Sequence, residues 1–161
     1  MNNRTLTPKR VSDSATEQIR IVIYPDINGI GRLFGGKLLS WIDEVAAATA
    51  RRHCGCNATT AAIDNLSFKS GAYLNDILVL VGKVTYVGNT SMEVRVDTYI
   101  EDNDGTRRSI NRAYFVMVAM DDAGNPTPVP PLLLENDGER MEWANAEKRR
   151  ELRLLRKKEG Y

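Results

Sequence analysis

Two consecutive glycines and an aspartate seven residues later are the residues best placed to do chemistry. Gly35 and Gly36 precede an apolar stretch that is predicted to form a helix over residues 38–52. The free N–H groups and positive dipole end of such a helix start stabilise an anion or a polarised carbonyl oxygen. Asp43 shares a helix face with Gly36, about 10 Å further along the axis. Placing a carboxylate within an apolar helix costs free energy unless the group has a partner or a function, so Asp43 is the candidate reactive group. The alternative is structural: Asp43 is simply hydrogen-bonded, and the two glycines allow close packing at the start of the helix.

Two nearby polar residues have plainer interpretations. Glu44 points about 100° away from Asp43, so the two acids do not face each other, and we expect Glu44 to be solvated or at an interface. Asn28 belongs to an Asn-Gly pair, which is typical of a turn.

Other catalytic and metal-binding arrangements find little support. His53, Cys54 and Cys56 place three possible ligands within four residues, a crowding that does not fit zinc sites, so we expect no metal. With a single histidine, a Ser-His-Asp triad is disfavoured. The sequence contains neither a P-loop nor a GxGxxG motif, which leaves nucleotide hydrolysis and hydride transfer unsupported.

The hydrophobic pattern predicts one mostly apolar helix and five strands. Gly55 is a natural stop for the helix, and glycine- and asparagine-rich turns separate the strands. The order β-α-β-β-β-β fits an α+β fold in which a curled sheet surrounds the helix. A proline-rich connector follows, and a second, sparsely apolar helix is predicted over residues 138–158. The predicted strands are residues 18–23, 59–68, 76–87, 90–102 and 107–120.

Three ordered segments resemble the hot-dog fold acyl-CoA thioesterases of the cytosolic acyl-CoA hydrolase type. These are residues 28–53 with their FGG and WIDE runs, residues 60–69 (TAAIDNLSFK) and residues 88–93 (GNTSME). The resemblance covers roughly residues 16–130. It implies a hot-dog fold, a curved antiparallel five-stranded sheet wrapped around a central helix, to which this chain adds its C-terminal helix.

The resemblance also implies an activity and its catalytic groups. The family hydrolyses acyl-CoA thioesters to free fatty acid and CoA, with an aspartate on the central helix and an asparagine from the preceding loop, paired across a dimer interface. These map onto Asp43, as general base or nucleophile, and Asn28, which would orient the water or the thioester. The Gly36 N–H would hold the developing oxyanion.

The CoA moiety is implied to lie beside the strand after the helix and beside the turn before the third long strand. Small side chains there suit a narrow pantetheine channel, although ordinary sheet packing is the other interpretation for Ile63 and Met92. Lys69 is a candidate for the phosphates. The expected CoA-binding residues are Gly35, Ala61, Ala62, Ile63, Lys69, Asn89, Thr90, Ser91 and Met92.

Composition and charge limit the classes of partner. The 161 residues are 42% hydrophobic and 27% charged with a net charge of +1, so bulk attraction to nucleic acid or to a membrane surface is not expected. The longest apolar runs fall far short of the ~20 residues of a membrane span, and the first residues lack a signal-peptide pattern. We therefore expect a reduced, cytoplasmic protein with no resident cofactor.

The basic C-terminal segment is open to two interpretations. Residues 147–158 contain seven basic and two acidic side chains, a net charge of +5. Arginines suit phosphate binding, so Arg149, Arg150, Arg153 or Arg156 are candidates for the nucleotide end of CoA. In the competing interpretation the helix packs between subunits through Trp143, Leu152 and Leu155, and its charges are solvated.

The predicted organisation has three parts: a flexible arm over residues 1–15, a hot-dog domain over residues 16–130, and a connector with a basic helix over residues 131–161. An isolated five-stranded sheet has open edges, so a homodimer is the minimum, and the resemblance implies a hexamer built as a trimer of dimers. A non-catalytic hot-dog module that binds CoA or acyl groups remains the alternative function.

Overall fold

The structure is a computed structural model that describes residues 6–161. In chain order its elements are β1 (Lys9–Arg10), α1 (Val11–Ser14), β2 (Thr16–Ile21), a 3-10 turn (Tyr24–Asp26), α2 (Gly35–Cys54), β3 (Asn57–Phe68), β4 (Ile77–Val87), β5 (Ser91–Glu101), β6 (Arg107–Met120), β7 (Leu132–Leu133) and α3 (Asp137–Glu159). Strands β2-β4-β5-β6-β3 form one sheet, in that order, and every pair is antiparallel. The predicted α+β fold is confirmed, and it is the hot-dog arrangement of a sheet wrapped around a central helix.

The central helix ends at a glycine, and its apolar face is buried. Gly55 adopts a left-handed conformation (φ 64°) and donates its N–H to the Arg51 carbonyl at 2.7 Å, which ends α2. The predicted apolar stripe is buried against the sheet. Its members are Leu38, Ile42, Val45, Ala46 and Thr49.

Close contact between α2 and the sheet depends on a glycine in β4. A Cβ on Gly82 would lie 2.9 Å from Val45 Cγ1 and would overlap the Thr49 hydroxyl. Alternate residues of the strands point to opposite faces of the sheet. On β5, Met92, Val94 and Val96 face α2, and the residues between them face the opposite surface of the sheet, which we call the outer face.

Helix α3 lies across the outer face and is held there mainly by charge. Arg149 donates to Glu93 and Glu142 at 2.8 Å, and its guanidinium lies 3.7 Å from the centre of the Tyr114 ring. Burial alone would disfavour the ionised Glu142, but hydrogen bonds from Tyr114 and Arg149 and the charge of Arg95 outweigh it and lower the pKa of Glu142. The sheet thus supplies the partner surface that this weakly apolar helix needs.

The structure constrains both interpretations of the basic segment. The Arg149 side chain is only 14% exposed and is engaged in ion pairs, and Arg153 and Arg156 both contact Asp64 on β3 at 2.5 and 3.0 Å. These charges are therefore not simply solvated. Trp143 packs within its own chain on Tyr86, with ring centroids 4.5 Å apart.

The N-terminal segment is more ordered than the sequence predicted. Residues 1–5 lie outside the described part of the chain, but β1 pairs in parallel with β7, and Val11 and Ser14 of α1 are buried. The predicted flexible arm over residues 1–15 is thus wrong for residues 9–14, because their pairing partner is the connector more than 100 residues later. Within residues 6–161, no helix is both long and apolar enough to span a membrane.

Candidate active site

Asn28 stands at the head of a tight loop before α2. The loop closes through hydrogen bonds from Asn28 N–H to the Arg32 carbonyl (2.7 Å) and from Gly31 N–H to the Asn28 carbonyl (3.0 Å). The Asn28 Oδ1 accepts from the Ile30 and Arg32 N–H groups at 3.1 and 3.2 Å. Both accepted bonds use the oxygen, and among residues 6–161 no hydrogen bond is found for the Nδ2 amino group, which is a further donor. Asn28 is thus a turn residue, as its Asn-Gly context indicated, with a free donor.

The start of α2 leaves backbone N–H groups available beside Asn28. Phe34 provides no side-chain cap, and none of the hydrogen bonds found for residues 6–161 uses the Gly35 or Gly36 N–H. A Cβ on Gly36 would lie 2.6 Å from the Phe34 ring, so glycine lets that ring lie against the helix start. Asn28 and Gly35 line one cavity of about 150 Å³, together with Leu38 and Phe68.

Asp43 lies two turns further along α2 and faces β3. The Thr60 hydroxyl donates to Asp43 Oδ1 at 2.6 Å, whereas Asp43 Oδ2 takes part in no hydrogen bond or ion pair among the described residues. Glu44, by contrast, is exposed and paired with Arg20 at 2.6 Å. The structure therefore distinguishes an oriented carboxylate with a free oxygen from an ordinary surface acid, as the helix geometry predicted.

Thr60 is the site residue that the sequence reasoning missed. It precedes a β-bulge at Ala61, since Thr60 pairs with Met117 and Ala62 already pairs with Val116. The bulge shifts the alternation, so Thr60 faces α2 while Ala62 and Asp64 face α3. Thr60 belongs to the segment 60–69 quoted for the family resemblance. Its orientation toward Asp43 could not be predicted, because hydrophobic periodicity does not indicate where a bulge occurs.

Within one chain these groups form two separate half-sites. Gly36 and Asp43 are about 10 Å apart along the helix axis. Asp43 does not line the cavity that contains Asn28 and Gly35. The candidate oxyanion-binding N–H of Gly36 and the Asp43 carboxylate of one chain are therefore too far apart to act on the same carbonyl.

The residues expected to bind CoA are spread over three places. Lys69 is exposed near the Asn28 half-site, and Asn89, Thr90 and Ser91 form the turn between β4 and β5. Ala61 and Ile63 are exposed on the edge strand β3.

Ala62 and Met92 have opposite environments. Ala62 lines an open cavity of about 500 Å³ with Arg153, Arg156 and Lys157. Met92 is 1% exposed in the core, where it alternates inward on β5 and packs under α2, so its side chain has the sheet-packing role that was the other interpretation.

His53 lies at the far end of α2 from Gly36 and takes no part in either half-site. It is fully buried, its Nε2 lies 2.9 Å from the Pro130 carbonyl oxygen, and its Nδ1 has no hydrogen-bond partner within the described part of the chain. Burial lowers the pKa of His53 below its ordinary value, with the Pro130 carbonyl acting in the opposite direction. Among residues 6–161 there is no group of three or more His, Cys, Asp or Glu side chains able to hold a metal.

Comparison with known proteins agrees with this geometry. The family model described as the thioesterase superfamily matches residues 30–106. The uncharacterized acyl-CoA thioester hydrolase YkhA of Bacillus subtilis is 37% identical over 138 residues, which cover 84% of this chain and 80% of that protein. The cytosolic acyl coenzyme A thioester hydrolase of Rattus norvegicus is 31% identical over 157 residues, 96% of this chain; the chain spans only 41% of that longer enzyme.

Solved structures are similar over nearly the whole chain. The acyl-CoA hydrolase of Staphylococcus aureus in complex with butyryl coenzyme A, coenzyme A and coenzyme A disulfide has a TM-score of 0.89 at 37% identity, covering 94% of this chain and 93% of that one. Its Asn28Ala variant with coenzyme A gives a TM-score of 0.91 at 36% identity (95% and 92% covered), and Asp43Ala and Thr60Ala variants have also been solved. An apo-hexameric acyl-CoA thioesterase gives 0.89 at 40% identity (93% and 97% covered). The chain therefore belongs to the acyl-CoA thioester hydrolases of the thioesterase superfamily.

Proposed function

We propose that the protein hydrolyses acyl-CoA to a free fatty acid and CoA with Asp43 as the essential carboxylate. The observation that carries this proposal is the 2.6 Å hydrogen bond from Thr60 to Asp43 Oδ1, which orients the carboxylate and leaves Oδ2 unpaired among the described residues. The S. aureus hydrolase, solved as variants of an asparagine, an aspartate and a threonine with these same numbers, supports the choice of residues.

The reaction needs a base and an oxyanion site on opposite sides of one thioester carbonyl. Asp43 removes a proton from water, which attacks the carbonyl carbon, or Asp43 attacks that carbon itself; both routes use the oriented carboxylate. The Gly36 N–H and the Asn28 Nδ2 donor stabilise the oxyanion, whose collapse expels the CoA thiolate. Water and groups of the protein are sufficient for each step, so no resident cofactor is proposed.

A partner subunit joins the two half-sites. Strand β3 is an edge of the sheet and most of its residues are exposed. Thr60 lies toward its start, beside Asp43, and Phe68 lies at its end, where it lines the same cavity as Asn28 and Gly35. Antiparallel pairing of β3 with its copy about a two-fold axis brings the Thr60 end of one chain to the Phe68 end of the other. Each active site then takes Asp43 from one subunit and Asn28 with Gly36 from its partner.

A second exposed surface is available for assembly of dimers into the proposed hexamer. Ile19 and Ile21 on the outer face of β2 are 58% and 56% exposed, and Ile23 just beyond the strand is 54% exposed. Contiguous exposed isoleucines on a sheet are typical of an interface. The hexameric thioesterase of similar fold supports this assembly, and the cytosolic relative supports a cytoplasmic location.

The nucleotide end of CoA is proposed to bind at the cavity beside Ala62. Three cationic side chains, Arg153, Arg156 and Lys157, line this cavity against one acidic side chain, Asp64. A phosphate there would share the guanidinium groups with Asp64. In this assignment Arg153, Arg156 and Lys157 of the basic segment bind CoA, whereas Arg149 holds α3 on the sheet.

Thiol release from a panel of acyl-CoAs tests the proposal. Asp43→Asn is expected to lower kcat at least about a hundredfold while the fold is retained, because the base is lost. Glu44→Gln is the matched control, since it removes the adjacent, exposed acid and should retain activity. An inactive wild-type protein that still binds CoA would instead identify a non-catalytic binding module.

A further inference from the structure

Two cysteines at the end of α2 form a close pair that the proposed hydrolysis does not use. Cys54 is the last residue of α2, Cys56 immediately precedes β3, and their Sγ atoms are 3.4 Å apart. Cys54 is fully buried, whereas Cys56 is partly exposed. The left-handed Gly55 between them turns both side chains to the same side.

The more accessible thiol lies in a basic surface depression. Cys56 lines an open cavity of about 450 Å³ together with Arg51 and Arg52, while Asp122 is the only acid in its lining. Arginines beside a thiol attract anionic small molecules. An accessible thiol beside cations, with a second thiol directly behind it, is the arrangement of a redox-active dithiol.

We propose that Cys54 and Cys56 are a redox site that exchanges with small anionic disulfides. The Cys56 thiolate attacks a sulfur of the disulfide, forming a mixed disulfide and releasing one thiolate. The Cys54 thiolate then attacks Cys56 Sγ, displaces the second small thiolate and closes an intramolecular disulfide. Two protein thiols are oxidised and one small disulfide is reduced to two thiols, so atoms and electrons balance.

The two cysteines lie in the turn between the elements that carry the proposed catalytic groups, so their oxidation would affect the geometry of those groups. The turn joins α2, which carries Asp43, to β3, where Thr60 follows Cys56 by four residues. Drawing the two sulfurs from 3.4 Å to a bond of about 2.0 Å changes the start of β3. Oxidation is therefore expected to disturb the Thr60–Asp43 hydrogen bond, a consequence that rests on the proposed function.

Glutathione disulfide is the probe that tests the dithiol. The folded wild-type protein, incubated with it and then measured by thiol titration and intact mass, is expected to lose both thiols with a mass decrease of two hydrogens. Cys54→Ala removes the buried partner and should instead accumulate a glutathione adduct on Cys56. Cys56→Ser should take up no glutathione and retain its remaining thiol. Unchanged thiols in the wild type, or a stable glutathione adduct in place of the internal disulfide, would overturn the proposal.

Activity of the same samples measures the coupling to catalysis. Oxidised wild type should show a kcat about tenfold lower that returns on reduction, the scale of losing one hydrogen bond to a charged group, and Cys56→Ser should not respond to oxidant. Full activity with a proven internal disulfide would overturn the coupling. The mass measurement does not require activity, so it tests the dithiol even if the proposed hydrolysis fails.

Discussion

The Thr60 hydroxyl donates a 2.6 Å hydrogen bond to Asp43 Oδ1 and so connects the edge strand β3 to the middle of α2. The same hydroxyl lies 3.4 Å from Met117 Sδ, a contact that restricts the other orientations of the Thr60 side chain. The proposed catalytic carboxylate is thus positioned by a strand that also forms the proposed dimer contact, so the proposal makes assembly and catalysis depend on the same element.

Replacing Thr60 by valine should lower kcat by about ten- to a hundredfold, the worth of a hydrogen bond to a charged group. Valine keeps the shape and β-branching, so the fold is retained and KM should change little. Thr60→Ser restores the donor and should recover most of the activity in a steady-state thiol-release assay. Equal activity of the serine and valine variants would show that the hydrogen bond does not position Asp43.

Mixing two inactive variants tests whether active sites are shared between subunits. Asn28→Ala and Asp43→Ala should each be nearly inactive alone. In a mixed dimer, one of the two sites receives both intact residues, so the purified mixed dimer should have about half of wild-type activity. The variants are co-expressed with different affinity tags and the mixed species is assayed. No recovery in verified mixed dimers would place both residues in a site within one chain.

The type and bounds of individual elements were the most predictable part of the structure. Residues 107–120 were predicted as a strand with the bounds that β6 shows, and Gly55 was predicted as the helix stop. These successes share one cause: hydrophobic periodicity and glycine conformation are local properties that the sequence carries directly.

Features that depend on contacts between distant segments could not be predicted in this way. The bulge that turns Thr60 toward Asp43 depends on the register of β3 against β6. The pairing of β1 with β7 joins residues at opposite ends of the chain. From the sequence, Arg149 could not be distinguished from a solvated charge, because its partner Glu93 lies 56 residues earlier in the chain. Each requires three-dimensional neighbours that composition and spacing do not specify.

The cavity beside Ala62 gives a prediction for substrate affinity. Arg156→Ala should raise KM for acyl-CoA several-fold but leave KM for acyl-pantetheine unchanged, because only CoA carries the nucleotide phosphates. Lys148→Ala, an exposed cation on the same helix outside this cavity, is the matched control and should affect neither substrate. A parallel rise on both substrates would assign Arg156 to holding α3 through Asp64 instead.

The buried His53 predicts a loss of stability on mild acidification. Its folded-state pKa is lowered, chiefly by burial, so the unfolded chain binds the proton first, near pH 6.5. The stabilisation is complete above that pH and is lost as the pH falls below it, since a second N–H on the ring would face the unpartnered Nδ1 position. Between pH 7.5 and 5.5 the wild type should lose more unfolding free energy than His53→Gln, which keeps a donor for the Pro130 carbonyl. Urea unfolding at both pH values measures this difference, and identical pH dependence in the two proteins would show that His53 titrates alike in the folded and unfolded states.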